Sequence, residues 1–387
     1  PMFRYIPYLP ALLMDFCLGA LVTNTSFFSS YLNLSSTFTG FLMATSTAFF
    51  VGFAIPFGRL SDRIGRARIL LFACLLVSGI SFALSFCRTG FQLILIYPCV
   101  GLSQALFWPT YEAWLTEREG GGSLIRRLMA FNLFWCVGMT TGPVISSYLQ
   151  GQSSSVLPFY CAGIGGLTNW GIIWFCSCIK PRNTSINDNV PYDIPPKSQY
   201  VFLNIARISN FASYFSLGVL RNLGPKLTRE MGILPRSFGN LILLMGLVQM
   251  ATFSWLGSAR STQFHYRISP LIVVQLSAIV GFLGMWMFQN ASFWIPSFCA
   301  VGLCAAITYF SSLYYSLHNQ QERGDKSGWH EAILGVGVLL GPFIGGGLDD
   351  LGKNHQNPYL LCAVVIGLCV FAEIIIWGRS RRINDER

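Results

Sequence analysis

The feature that most constrains this chain is a succession of apolar runs, each long enough for a helix to cross a bilayer core of about 30 Å. Backbone N–H and C=O groups cannot stay unpaired in lipid, so such runs form either helices or a closed β-barrel. The runs are apolar throughout, whereas barrel strands alternate between apolar and polar residues. Only 11% of the residues are charged, against about 25% in soluble domains. The pattern therefore predicts an all-α polytopic membrane protein.

Short polar segments separate twelve such runs, which predicts twelve transmembrane helices. A longer polar stretch at 180–200, rich in Pro, Asn and Asp, is typical of a linker. It divides the chain into a six-helix bundle at 1–179 and a second at 201–387. The predicted spans are 7–32, 38–58, 68–88, 91–116, 124–149, 156–179, 201–223, 236–257, 267–288, 292–318, 328–350 and 356–378.

The two halves share short identities at a nearly constant offset of about 200 residues, which predicts that the two bundles are pseudo-symmetric. Two similar bundles that face a site near the membrane midplane are a recurrent plan of transporters. The repeated positions are Gly138, Gly142 and Pro143 with Gly337, Gly341 and Pro342, Val100–Leu102 with Val301–Leu303, and Leu18–Gly19 with Leu217–Gly218.

The net charge of +10 has two interpretations, a polyanionic partner or membrane topology. Most of the 26 Lys and Arg residues fall in segments on the side of the N-terminus, as cytoplasmic segments of membrane proteins do. This asymmetry explains the charge without nucleic acid and predicts that both termini are cytoplasmic. The Lys and Arg residues assigned to the other side are Arg88, Arg221, Lys226, Arg229, Arg236 and Lys353.

The loop after the second span, Gly58–Arg66, has the pattern Gly-x-x-x-Asp-Arg-x-Gly-Arg. This pattern resembles the signature of the major facilitator superfamily, a family of transporters built as two six-helix bundles. The resemblance implies that Asp62 latches one conformation by contacting the start of the eleventh helix near Ser327–Trp329. The simpler alternative is a basic cytoplasmic loop without a moving role. The matching loop of the second half, Gly257–Arg260, lacks the Asp. The motif residues are Gly58, Asp62, Arg63, Gly65 and Arg66.

The Gly-x-x-x-Gly-Pro repeats in the fifth and eleventh spans place small residues on one helix face, which lets helices approach closely. Drug–proton antiporters of the family resembled here carry such a motif in helix 5. The motif in this chain therefore marks either an antiporter of that kind or close helix packing alone. Those antiporters also carry an Arg in helix 4 at the position where this chain has Tyr97. The substitution argues against drug–proton antiport.

Ionisable groups at bilayer depth are costly and mark candidate functional sites. Asp15, Glu112 and Arg207 lie on predicted helices 1, 4 and 7, which line the central cavity in the family. Asp15 is a candidate proton or substrate site, or else part of a structural ion pair. Arg207 could hold an anionic group or pair with an acid, because it stays charged. Glu112 is more simply a partner of a cytoplasmic arginine.

Other polar and aromatic residues on these helices are weaker candidates for the cavity wall, since interfacial belts also explain many aromatic residues. These candidates are Asn24, Gln104, Trp108, Tyr111, Asn132, Asn210, Gln249 and Tyr309.

We therefore expect a transporter of a small organic solute, coupled to protons, that works by alternating access. The alternatives are an uncoupled facilitator and a membrane receptor or scaffold of the same fold. The sequence shows no nucleophile, base and orienting group in combination and no metal-ligand spacing, so we expect no enzyme activity, cofactor or metal. The expected partners are the solute, protons and membrane lipid, with no nucleic acid, and the chain is expected to be a monomer in a bacterial inner membrane.

Overall fold

The computed structural model describes residues 5–116, 124–150, 156–179, 196–257, 267–317, 323–352 and 354–385. Within these ranges the chain forms twelve main helices and no β-strand. The helices are α1 (Leu9–Tyr31), α2 (Ser36–Ile64), α3 (Arg66–Ser85), α4 (Gly90–Ile96 and Pro98–Thr116), α5 (Leu124–Tyr148), α6 (Leu157–Cys178), α7 (Pro196–Gly218, Val219–Leu223 and Gly224–Glu230), α8 (Pro235–Leu256), α9 (Ser269–Met287), α10 (Ala291–Leu317), α11 (Arg323–Gly352) and α12 (Asn357–Asp385).

Nine helices of the described chain, α1–α4 and α8–α12, are long and apolar enough to cross a membrane. This confirms the prediction of an all-α polytopic membrane protein. We call the side where α1 begins and α12 ends the terminal side, and the other side the opposite side.

Several helices run beyond their predicted limits. α2 continues six residues past the predicted end of its span, to Ile64, because the backbone N–H of Gly65 still donates to Ser61 O. Gly65 then reverses the chain with a φ of +106°, a conformation that favours glycine. α7 begins at Pro196, inside the predicted linker. Polar turns outside the apolar window therefore stay helical, and hydropathy alone makes these helices too short.

Two helices are interrupted. α4 breaks at Tyr97, next to Pro98, which has no N–H to donate to the preceding turn. α7 contains a π-helical turn at Val219–Leu223 between two α-helical segments. Single π-turns inside α-helices are frequent at functional sites.

The contacts between helices follow a twofold plan. In the first half α1 packs on α5, α2 on α4, and α3 on α6. In the second half α7 packs on α11, α8 on α10, and α9 on α12. Between the halves the two main contacts, α2 with α11 and α5 with α8, are also related by a shift of six helices.

Glycines bring the backbones of two helices close together within each half. A Cβ added to Gly138 or Gly142 of α5 would collide with the backbone of α1. A Cβ added to Gly337 or Gly341 of α11 would collide in the same way with the backbone of α7. The repeated Gly-x-x-x-Gly motif thus packs equivalent helix pairs in the two halves.

The prolines that follow these motifs complete the contact. Pro143 lies against Gly19 of α1, and Pro342 lies against Gly218 of α7. Gly19 and Gly218 are themselves equivalent positions of the two halves, so each half is built around the same backbone-to-backbone seam.

Candidate functional site

A cavity of about 180 Å³ lies between the two halves. Residues of α1, α2, α4 and α5 line it from the first half, and residues of α7 and α11 line it from the second half. Its charged lining residues are Asp15 and Arg221, and its polar lining residues include Gln104 and Asn222. A ligand here would touch both halves.

Asp15 lies on α1 with 5% of its surface exposed. Its side chain makes no hydrogen bond or ion pair with any described residue, although it lines the cavity. The charge that acts on it most is that of Arg221. A buried carboxyl without protein partners is available to a proton or to a ligand.

Arg221 lies in the π-helical turn of α7 and points into the cavity. Its Nη2 donates to Gln249 Oε1 of α8 at 3.0 Å, whereas its Nε is buried without a hydrogen-bond partner among the described residues. The prediction that Arg221 lies in a segment outside the membrane is therefore wrong. Its position inside the predicted span 201–223, between apolar neighbours, is the signal that identifies it as a residue within a helix.

The depths of the two charges follow from a contact between α1 and α7. The backbone N–H of Lys226 donates to Ser26 Oγ at 3.2 Å, which aligns the two helices at an offset of 200 residues. At 1.5 Å per residue, Arg221 lies about 9 Å nearer the opposite side than Asp15. The two groups form no ion pair across the cavity in the described chain.

The halves are in close contact on the opposite side. Asp350 at the end of α11 accepts hydrogen bonds from the backbone N–H of Ser36 at 3.0 Å and of Thr37 at 2.7 Å. The Arg229 guanidinium lies 3.1 Å from the centre of the Tyr31 ring. These contacts join α2 to α11 and α1 to α7.

Glycines also bring the backbones of the two halves together on this side. Gly40 of α2 lies against Pro342, and Gly346 of α11 lies against the carbonyl of Ser36. The opposite side is therefore closed by main-chain contact as well as by side chains.

On the terminal side of the cavity lies an aromatic layer formed by residues of both halves. Trp135 of α5 contacts Tyr309 of α10 with ring centroids 5.5 Å apart, and Tyr309 contacts Tyr214 at 5.7 Å. Phe253 and His330 complete the layer, packed against Trp135 and Tyr309 respectively. Because Tyr214 also lines the cavity, the layer forms its floor.

Two of the three predicted charged site residues do not line the cavity. Glu112 lies close enough to Glu331 of α11 for the two charges to interact, and Arg207 lies near His330. By the alignment of α1 with α7, Arg207 is about 12 Å nearer the terminal side than Asp15. The three residues share suitable helices but lie at different depths, so the predicted trio does not form one site.

Of the predicted polar and aromatic cavity residues, Gln104 lines the cavity and the other seven do not. Most of them bind other protein groups instead. Asn24 bonds with Gln150, Asn132 Oδ1 accepts from Trp135 Nε1 at 3.1 Å, and Gln249 holds Arg221. Trp108 packs on Tyr111, whose Oη donates to Pro7 O. Asn210 is buried without a hydrogen bond among the described residues. Tyr309 belongs to the aromatic layer.

The predicted latch loop lies on the terminal side. The Asp62 side chain is 61% exposed and accepts a hydrogen bond from Arg66 Nη2 at 3.2 Å. Arg66 Nη1 donates to Ala113 O of α4 at 2.8 Å, which holds the loop to its own half. Gly58 faces Pro109 of α4, and Arg63 is exposed. The predicted contact of Asp62 falls on Ser327–Trp329, of which the side chains at 327 and 328 lie outside the described residues.

A second buried carboxyl, that of Glu373 on α12, lies inside the second half. Its carboxyl oxygens lie 2.8 Å from Ser209 Oγ and 2.8 Å from Gln275 Nε2. This group joins α7, α9 and α12 away from the cavity.

In the described part of the chain one group of side chains has metal-ligand geometry. Ligand atoms of Glu230, Asp349 and His355 lie within 4.8 Å of one another on the opposite side. The ammonium of Lys226 pairs with Glu230, so a cation from the protein already binds one of the carboxylates. The cluster joins the end of α7 to the end of α11.

Comparisons with known proteins agree with this architecture. A sequence model described as Major Facilitator Superfamily matches residues 8–198. The uncharacterized MFS-type transporter YqjV of Bacillus subtilis is 25% identical over 361 residues, which cover 86% of this chain and 82% of the relative. Multidrug resistance protein 1 of Bacillus subtilis is 21% identical over 367 residues, which cover 91% of each chain.

Solved structures extend the similarity to the whole chain. A bacterial homologue of the human lysosomal transporter Spinster, in an inward-facing and occupied conformation, superposes with a TM-score of 0.73 at 15% identity. That match covers 98% of this chain and 97% of the homologue. The nucleoside transporter NupG superposes with a TM-score of 0.70 at 10% identity, over 96% of this chain and 99% of its own.

Proposed function

Because the chain belongs to the major facilitator superfamily of solute transporters, we propose that it moves a small organic solute across the membrane by alternating access. The observation that carries the proposal is the cavity between the halves, which is lined from both and closed on the opposite side. In this mechanism the halves rock around the cavity and expose it to each side in turn.

Proton coupling is the second part of the proposal, and Asp15 is its centre. The carboxyl is buried, lines the cavity and has no protein partner in the described chain, so its charge state can change without breaking a salt bridge. Taking up a proton there removes a charge from the cavity at the moment of binding. Asp62 serves as the latch that favours the conformation in which the terminal side is closed.

An uncoupled facilitator is the alternative that a specific observation favours. Tyr97, buried beside the cavity, stands where proton-coupled antiporters of the family carry an Arg. A facilitator would bind its solute equally well with and without a proton on Asp15.

Two relatives are named for drug resistance, which supports an organic solute. Multidrug resistance protein 1 spans 91% of this chain, and the class B tetracycline resistance protein of Escherichia coli is 24% identical over 188 residues, which cover 46% of this chain.

We place the chain in a bacterial inner membrane as a monomer with cytoplasmic termini. Moving Arg221 from the opposite side into the cavity strengthens the Lys and Arg asymmetry behind that orientation.

Transport in liposomes tests both parts of the proposal. A thermal-shift screen of the purified protein at two pH values selects a ligand, since binding to the folded state raises its melting temperature. We expect the labelled ligand to accumulate in liposomes when a pH gradient is applied, and to exchange in counterflow without one.

Asp15→Asn should abolish the pH-driven acceleration of ligand uptake and preserve counterflow. Glu373→Gln is the matched control, because it removes another buried carboxyl away from the cavity. Acceleration that survives in Asp15→Asn would assign the chain to uncoupled or otherwise coupled transport. A folded protein that binds the ligand and shows no flux in either assay would refute transport itself.

A further inference from the structure

We propose that the cavity binds organic anions, in the form of a small apolar or aromatic body with one carboxylate-type group that pairs with Arg221. The inference rests on the proposed function in taking this cavity as the solute site. It adds the charge of the solute, which neither the fold nor the relatives supply.

The two charged residues of the cavity differ in their chemistry. Among the described residues that line the cavity, Asp15 and Arg221 carry the charges, and they form no ion pair with each other. A carboxylate can lose its charge by binding a proton. A guanidinium stays protonated under all relevant conditions. The charge that remains for a solute to neutralise is therefore the positive one.

The hydrogen bonds of Arg221 are incomplete in the described chain. A guanidinium has five N–H donors. One of them is used at 3.0 Å by Gln249 Oε1, and the Nε–H is buried without a partner in the described chain. Gln249 Oε1 also faces the thiol of Cys136 at 3.8 Å, so it belongs to the fixed surroundings of the guanidinium rather than to a mobile counter-charge. A buried donor left unpaired is costly, and a bidentate carboxylate fits the planar edge of a guanidinium.

The remaining wall of the cavity is mainly apolar. Met43 and Phe50 of α2, Met139 of α5 and Leu334 of α11 present apolar surface, and Tyr97 and Tyr214 add aromatic rings. The cavity volume of about 180 Å³ equals that of roughly six water molecules. Thr23, Ser46, Thr47, Gln104 and Asn222 also line the cavity, but most of its surface is apolar, so the space fits a compact aromatic or aliphatic body better than a sugar-like one.

A cationic solute fits the same cavity less well. It could pair with Asp15, but it would be repelled by Arg221, which lies about 9 Å farther along the helix axis and would keep its unpaired Nε–H in the described chain. An anion on Arg221 leaves only Asp15, which a proton neutralises. Anion and proton can therefore occupy the cavity together, which gives the proposed coupling a physical basis.

The test uses three probes that share one ring system and differ in charge: 1-naphthoate, 1-naphthalenemethanol and 1-naphthylmethylamine. Binding to the purified full-length protein is measured by thermal shift and by titration calorimetry. We expect 1-naphthoate to bind at least tenfold more tightly than the neutral alcohol, and the amine to bind no better than the alcohol. The comparison needs no variant, so a folding defect cannot obscure it.

Variants then locate the binding site. Arg221→Gln should weaken 1-naphthoate by about 10- to 100-fold, the usual effect of losing a charged hydrogen-bond partner, and should leave the alcohol unchanged. Arg221→Lys should recover part of the loss. Arg88→Gln, which removes an exposed arginine on the opposite side, is the matched control and should change nothing. Asp15→Asn should keep or improve 1-naphthoate binding.

The inference would be overturned if the amine bound more tightly than 1-naphthoate and lost that binding in Asp15→Asn. Equal binding of the three probes would also overturn it. So would a folded Arg221→Gln variant that binds 1-naphthoate as tightly as the unsubstituted protein. Naphthoate binding without flux in liposomes would refute transport and leave the anion site standing. Flux of a cationic or neutral solute would preserve transport and refute the anion site.

Discussion

The contact of Asp350 with the start of α2 gives the sharpest prediction about the closed side. The carboxylate accepts hydrogen bonds from Ser36 N and Thr37 N, the first free N–H groups of α2, and so caps a helix of the other half. Replacing a helix-capping side chain with Ala costs about 1 kcal/mol on average. Asp350 is exposed to solvent, which favours this average over larger values. Asp350→Ala should therefore shift the equilibrium toward opening of this side by about fivefold.

Hydrogen–deuterium exchange of the purified protein measures that shift. If the halves separate as units, exchange should rise by about fivefold at the first turn of α2 and also at Lys226, whose N–H donates to Ser26 of the other half. Local fraying of α2 would raise exchange at its first turn alone. The melting temperature should change little, because each half keeps its own core.

Thr89→Ala is the matched control for this experiment. Thr89 caps α4 on the same side of the membrane in a capping box with Gln92, but that contact stays within one half. The variant should raise exchange at the start of α4 and leave Lys226 unchanged. Unchanged exchange at Lys226 in Asp350→Ala, with normal folding, would refute the view that this contact holds the halves together.

Two further predictions concern packing and the latch loop. Gly142→Ala should destabilise the protein by about 1–3 kcal/mol, because the added Cβ would collide with the backbone of α1. A thermal melt measures the effect. In the same assay Gly52→Ala should leave the melting temperature unchanged, because its Cβ would meet no atom within 4 Å. Equal effects of the two substitutions would contradict the close backbone contact between α5 and α1. Asp62→Asn should change the free energy of unfolding by less than about 1 kcal/mol, because Asp62 forms its ion pair with Arg66 at the exposed surface. The same variant should lower the flux in liposomes. Unchanged flux would show that the loop has no latch function.

Hydropathy predicted the helices, and the identities repeated at a constant offset predicted the similarity of the two halves. The apolar runs must form helices in lipid, and Gly138 and Gly337 repeat at the same offset because equivalent helix pairs need the same close approach. The ends of α2 and α7 were predicted less well, since a helix continues through polar turns as long as its hydrogen bonds are made.

The site was harder to predict, because depth and facing direction decide it. Asp15 and Gln104 were predicted on cavity-lining helices and do line the cavity, whereas Glu112 and Arg207 lie nearer the terminal side. Arg221 was missed because its charge was counted as a loop charge. The π-helical turn that carries it is invisible in the pattern of residue types, which records neither helix register nor which of several charged residues faces the cavity.

The close approach of Gly40 and Gly346 to the backbone of the other half has an electrical consequence. Where main chains touch there is little room for water or ions, so this layer acts as an insulator within the membrane. Moving one elementary charge across the full membrane voltage costs about 2.3 kcal/mol for 100 mV, and part of that work is done in crossing this layer. A charge that enters the cavity from the terminal side has to pass the aromatic layer, and it crosses the glycine contact only when the halves exchange their closed sides.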